Sequence, residues 1–120
     1  MVDSVAVAIL RNRRFLLIER KSEQEFYPSF WAPAHGHLKK GETQEEAVRR
    51  IVKRTFDVDV KSAEHVKTVL SDYSSNSLHW WHVNIDGGKI KINPKFVSDF
   101  EWLTWSELMK KQLLPATKSM

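Results

Sequence analysis

The sequence predicts an α/β fold of the α+β type, a mixed β-sheet sandwiched between α-helices, formed by residues 1–120 as one domain. Three observations predict it. Short apolar stretches of strand length recur on both sides of one segment with helical periodicity. That segment, Gln44–Phe56, opens on a capping signal and carries a single apolar face. The chain has 120 residues, 42% of them hydrophobic, which suits one modest core and leaves no room for two.

Residues 5–10 and 15–19 are mainly apolar and flank the polar Arg11-Asn12-Arg13-Arg14, the pattern of a β-hairpin. A loop over residues 20–29 stays polar up to Phe26 and Tyr27 and is broken by Pro28. Phe30-Trp31-Ala32 then reads as a short buried strand before a glycine-bearing turn at Gly36. Thr43 stands three residues before Glu46, a capping box at the start of the central helix. Within that helix Ala47, Val48, Ile51, Val52 and Phe56 recur at three- and four-residue spacings, so one face is expected to be buried. Glu45 with Arg49 and Glu46 with Arg50 make acid-before-base pairs one turn apart. Residues 65–70 and 78–85 read as strands and Asp86-Gly87-Gly88 as a turn. Residues 89–92 alternate as a strand with Ile90 and Ile92 on one side, and residues 101–105 read as a last strand. Thr104 and Glu107 repeat the capping spacing ahead of a closing helix expected to reach Gln112.

Composition narrows the function classes. Nineteen Lys and Arg against fifteen Asp and Glu give a net charge of +4, which suits an anionic partner such as a nucleotide or RNA. The cations are scattered along the chain, as solvated surface residues also are. The absence of cysteine excludes disulfides, thiolate metal sites and a cysteine nucleophile. The first ten residues carry no basic leader and are too short to cross a bilayer, so a cytoplasmic protein without a membrane partner is expected. His35 and His37 lie two apart without a third clustered ligand, and His79 and His82 fall on opposite strand faces, which argues against zinc. Trp80 and Trp81 are adjacent on a strand and must point to opposite sides, one into the core and the other free to stack on a base. Trp102 and Trp105 read as core anchors of the closing segment. No glycine-rich phosphate loop is present, and no serine, histidine and aspartate triad can be read from spacing.

The run from Gly36 through Gly41-Glu42-Thr43 to Arg49-Arg50 resembles the first part of the Nudix box. That pattern is glycine, five residues, glutamate, seven residues, then Arg-Glu-aliphatic-x-Glu-Glu-x-Gly-aliphatic. Gly36, Glu42 and Arg50 match its first fixed places, and Val52 and Val58 its aliphatic ones. The amino-terminal hairpin, the approach from Trp31 to Gly36, Glu101-Trp102-Leu103-Thr104-Trp105 and the ending Leu113-Leu114-Pro115 are also similar to Nudix domains, so the resemblance covers nearly the whole chain. It implies the Nudix fold and a relation to pyrophosphohydrolases of nucleoside diphosphate derivatives.

The departures fall on one kind of residue. Ile51, Arg54 and Thr55 replace the three helical glutamates, and Asp57 replaces the glycine. Positions three and four apart project from one helix face, as a carboxylate cluster for a divalent cation requires. The stretch Lys95-Phe96-Val97, where several family enzymes carry a further acid, has none, and Asp99 and Glu101 are shifted from it. Glu45 and Glu46 face another side, which leaves Glu42 as the one box carboxylate. The favoured reading is therefore a catalytically impaired domain that binds a nucleotide or other phosphate-containing small molecule, or regulates through it, with no cofactor. Gly36, Glu42, Arg50 and Arg54 are its candidate binding residues, and Ile51, Arg54 and Thr55 form the face beside which a phosphate would lie, held by cations rather than metal. Arg50 has a second reading, as a support for the loop through Glu42 or Glu46, and Lys53 and Arg54 have one as solvated residues. The alternatives are a hydrolase working through relocated acids with Mg²⁺, or a scaffold that has kept neither ligand nor reaction.

Overall fold

The computed structural model describes residues 3–23, 28–70 and 77–120, so the expectation for Phe26 and Tyr27 lies outside the described residues. Strand β1 (Ser4–Arg11) and strand β2 (Arg14–Arg20) form the expected hairpin, with Leu10 opposite Phe15 and Arg11 opposite Arg14. Its turn is Asn12-Arg13, with φ of 52° and 63°. Positive φ at both central residues is what a two-residue hairpin needs to follow the right-handed strand twist. Asparagine tolerates that region well, whereas Arg13 adopts it at some cost.

Strand β1 organises the sheet. It pairs antiparallel with β4 (Ala34–His37) and with β2, and parallel with β6 (Ser77–Ile85). Strand β5 (Val60–Leu70) adds antiparallel to β6, while β3 (Trp31–Ala32) and β7 (Val97–Leu103) pair antiparallel with β2. The sheet is therefore mixed, as expected. Its centre must be covered on both faces, and residues 4–9 of β1 are accordingly buried without alternation.

Helix α1 (Gln44–Phe56) covers one face. The capping box forms as read: Thr43 Oγ1 accepts from the Glu46 amide at 3.1 Å, and Glu46 Oε1 accepts from the Thr43 amide at 2.9 Å. The helix ends where Asp57 turns left-handed at φ 56°, the conformation that makes glycine the usual residue there. Aspartate is one of the few other side chains that accept it readily. Ala47, Val48, Ile51, Val52 and Phe56 pack on Val5, Val7, Ile9, Ile18 and Ala34 in the main core. On the opposite face Leu17, Trp31, Leu103, Leu108 and Leu113 form one small cluster, and Ala6, Ala8, Leu78 and Trp80 form another with Met120 packed against it.

Five expectations are corrected. Gly36 lies within β4 opposite Val5, not in a turn. Residues 89–92 are no strand: the Lys91 amide donates to the Phe56 carbonyl at 2.9 Å, closing the end of α1, while Ile90 and Ile92 still pack on the core. Strand β5 starts at Val60 and β7 at Val97, earlier than read, because their exposed polar residues hide the alternation. The closing helix α2 is only Trp105–Leu108; the chain then turns so that Leu113 bridges Trp31, and a 3₁₀ turn (Pro115–Ser119) follows. Trp102 is only partly buried and Trp105 is 44% exposed, lying edge-on to Phe15 at 6.2 Å, so neither anchors the core fully.

Gly36 has a steric reason. A Cβ there would lie 3.0 Å from Ile51 Cδ1 and 3.4 Å from Ile51 Cγ1, and Ile51 is fully buried in a close-packed core. In a strand, exchanging glycine for alanine ordinarily helps. Here we expect Gly36→Ala to destabilise by about 1–3 kcal/mol through overpacking. In urea denaturation the double variant Gly36→Ala/Ile51→Val should lose less than the sum of the two single changes; strict additivity would dismiss the contact as the cause.

Candidate functional site

The loop between β4 and α1 is built around Glu42. Gly41 supplies a φ of 79°, and the chain then turns so that Glu42 faces α1. Arg50 grips this carboxylate with a fork: Nε donates to Oε2 at 2.8 Å and Nη2 to Oε1 at 2.9 Å. The Lys39 amide donates to Oε1 at 2.9 Å, and Arg50 Nη2 also reaches the His37 carbonyl at 2.9 Å. The Arg50 hydrogen bonds, then the Lys39 amide, hold the Glu42 carboxyl well below the usual carboxylate range, at about 2. Of the two readings for Arg50, this geometry is the loop support, through Glu42. The expected Glu46–Arg50 pair does not form, since Glu46 is taken by the capping box; Glu45 and Arg49 do pair, at 3.3 Å.

The face of positions 51, 54 and 55 divides. Ile51 is 0% and Thr55 3% exposed. At about 100° per residue, Arg54 stands on the flank of the same face, roughly 60° from Ile51, and reaches the rim of the sheet. Its guanidinium lies 4.6 Å from the Phe96 ring centroid, a cation–π contact. There it lines a cavity of about 100 Å³ with Ile18, Arg20, His35, Thr55, Phe96 and Val97. Arg54 Nε is buried and has no hydrogen-bond partner among the described residues. Burial, and then the charge of Arg50, lower the Arg54 pKa from its ordinary value.

His35 fixes the floor. Its Nδ1 is 2.9 Å from the Pro33 carbonyl and its Nε2 is 2.8 Å from Arg20 Nη1. The guanidinium can only donate, so Nε2 accepts and Nδ1–H donates to Pro33, the neutral tautomer. Burial, with smaller contributions from Arg20, Arg54 and His37, lowers the pKa to about 4 against the pull of the Pro33 carbonyl. The cavity thus presents two guanidinium groups and a neutral imidazole, and the described residues lining it include no acid.

The acids weighed as replacements are engaged elsewhere or dispersed. Glu101 pairs with Lys111 at 3.0 Å, and Asp99 Oδ1 accepts from the Phe100 amide at 2.7 Å. Among the described residues no group of three or more His, Asp or Glu is placed to hold a metal ion. A magnesium ion bridging phosphates needs accessible carboxylates, and Ile51, Thr55, Arg54 and the clamped Glu42 do not fit it. Of the adjacent tryptophans Trp80 is the buried one, while Trp81 donates from Nε1 to Gln44 Oε1 at 2.9 Å. Arg20 and Phe96 carry no site signal in the sequence, and His35 with His37 reads there as a pair that argues against zinc. They lie on separate segments, and only the carboxylate-free Lys95-Phe96-Val97 stretch hinted at one of them.

The family model described as NUDIX domain matches residues 1–120. The NAD-capped RNA hydrolase NudC of Stutzerimonas stutzeri (strain A1501) is 24% identical over 117 residues, 98% of this chain but 40% of that protein. The chain therefore spans well under half of this relative. Among solved structures, the NUDIX domain of Shewanella oneidensis NrtR complexed with ADP ribose superposes with a TM-score of 0.84 at 16% identity, covering 99% of this chain and 82% of that one. The MutT NUDIX hydrolase of Burkholderia pseudomallei gives 0.80 at 21% identity, covering 98% and 93%.

The fork on Glu42 has a pH signature. Because its folded pKa is depressed, the stabilisation is present above the ordinary value of 4.5 and is lost as pH falls toward 2. In Arg50→Ala, a carboxyl ¹³C NMR titration should find Glu42 moved up toward 4.5, with a shallower loss of stability on the acid side. An unchanged Glu42 titration would show that the fork is not what holds it.

Proposed function

The chain belongs to the NUDIX domain family, and on that premise we propose that it binds a phosphate-containing nucleotide derivative without hydrolysing it by the family's magnesium chemistry. The observation that carries this reading is the fate of the four box acids. Two positions carry the buried, uncharged side chains Ile51 and Thr55, one is the cation Arg54, and the remaining Glu42 is held by Arg50 and the Lys39 amide. Hydrolysis in the family pattern needs a carboxylate base and cations on the leaving phosphate. A clamped carboxylate held near a pKa of 2 is a poor base, and Arg54 repels a metal ion.

The ligand class follows from relatives by analogy. NudC is named for NAD-capped RNA, and the NrtR domain was crystallised with ADP ribose. Both ligands join a nucleoside to a diphosphate, and a domain with this fold that has lost catalysis is suited to read such a molecule as a binding or regulatory module.

Two measurements test this. Nucleoside diphosphate derivatives, ADP ribose and NAD-capped RNA incubated with the protein and Mg²⁺ should release no more product than in a chelator control. Arg54→Glu should remain inactive, because Ile51 and Thr55 still leave the carboxylate face buried and incomplete. Rapid Mg²⁺-dependent turnover abolished by Glu42→Gln would overturn the reading in favour of a hydrolase with relocated acids.

A further inference from the structure

We propose that the open face of the sheet carries a second binding site, in the cavity formed by Ala8, Leu10, Ser62, Glu64, His82 and Asn84, for a small organic cation of the guanidinium or primary amine class. The site lies on the side of the sheet away from α1, so it stands or falls independently of the binding function above.

The strand register builds it. Ala8 of β1 and Glu64 of β5 both stand opposite His82 of β6, which puts an alanine, an imidazole and a carboxylate in one row across three strands. Two residues along each strand, on the same face, come Leu10, Asn84 and Ser62, with Ser62 opposite Asn84. Their neighbours Ile9, Val83 and Ala63 pack into the main core under α1, so these two rows point the other way. On that side Met120 packs against the cluster of Ala6, Leu78 and Trp80, whereas Ser62, Glu64, His82 and Asn84 are exposed. The small side chain of Ala8 leaves a cavity of about 350 Å³ between its neighbours. That is the lower end of the roughly 300–1,000 Å³ found for small-molecule sites.

Its polar groups select the ligand. Asn84 Nδ2 donates to Ser62 Oγ at 3.0 Å, which orients the amide and leaves Oδ1 as an acceptor. Glu64 adds two carboxylate oxygens, and neither its side chain nor that of His82 has a hydrogen bond or ion pair with another described residue. Glu42, Glu45, Asp57, Asp59, Glu101 and Glu107, by contrast, each meet a lysine or arginine. A chain of net charge +4 thus leaves one carboxylate unpaired at the wall of a cavity. Screening confines the field of a charge to about 8 Å at physiological ionic strength, so Glu64 and not the net charge sets the potential there. An anion would be repelled by that carboxylate, and an alcohol brings one donor to three acceptors. A guanidinium brings five in a fork that fits a carboxylate bidentately, and an ammonium brings three. Ala8 and Leu10, on the β1 side, offer an apolar wall to a short stem carrying the cation. Glu64 and His82 by themselves fall short of the three or more ligands of a protein metal site.

The test is an NMR titration of the whole chain at constant ionic strength, with butylguanidinium, methylguanidinium and uncharged butanol as separate probes. Butylguanidinium should shift the His82 ring and Asn84 side-chain amide signals to saturation, and butanol at the same concentration should not. Glu64→Gln keeps the shape of an exposed side chain and removes its charge; it should weaken butylguanidinium at least about tenfold. Glu45→Gln is the control for general charge: Glu45 is exposed on α1, across the sheet, and its loss should leave the affinity unchanged. Leu10→Ser should weaken butylguanidinium more than methylguanidinium, because only the longer stem reaches the apolar wall. A Glu64→Gln protein that binds as the wild type does overturns the site, as do shifts that spread over the surface without saturating. Equal effects of Leu10→Ser on the two guanidines overturn the assignment to this cavity. Shifts at His82 produced by Zn²⁺ and not by butylguanidinium overturn it in favour of a metal ion. Each of these outcomes leaves nucleotide binding beside α1 as it stood.

Discussion

The close packing of α1 on the sheet, at Gly36, is the constraint on which the rest of the structure depends. Without a side chain on β4 at that point, Ile51 enters the core beneath the helix, and Ala47, Val48, Val52 and Phe56 follow on the same face. Burial of this stripe outweighs the helix's own propensity, since a helix of 13 residues is marginal alone in water. The same packing sets what the altered box positions present. Positions 51 and 55 carry isoleucine and threonine, both buried under the helix.

A second, electrostatic consequence follows at the loop. Arg50 forks onto Glu42 and ties the turn after β4 to the helix, so the retained signature residues act as a frame. Arg50 is itself a charge close to Arg54, which adds to the positive field at the rim of the sheet. Frame and chemistry are therefore separable in this chain: the backbone geometry survives with its glycine, glutamate and arginine, and the charge on the neighbouring face has been reversed.

The elements that could be read without coordinates were those whose signal is local. The capping boxes at Thr43 and Thr104, the hairpin around Asn12-Arg13 and the apolar stripe of α1 each depend on residues a few places apart. Legibility failed where a neighbour intervenes. Ile90 and Ile92 alternate like a strand, yet the Lys91 amide is spent on the end of α1. Trp105 has the composition of a core anchor, yet α2 is too short to turn it inward. Glu46 and Arg50 have ion-pair spacing, and both found stronger partners that spacing alone does not rank.

By itself the sequence determined the fold class, the central helix and the loss of the box glutamates, because periodicity, capping and residue identity act within a few residues. Tertiary structure alone decided which member of the altered face meets solvent. Ile51, Arg54 and Thr55 share one helix face, and the packing of α1 on the sheet buries Ile51 and Thr55 and leaves Arg54 partly exposed, with Arg54 and Thr55 beside Arg20, His35 and Phe96. That assembly joins β2, β4, α1 and the segment before β7, residues far apart in the chain, whose proximity is a property of the packed sheet and of no local pattern.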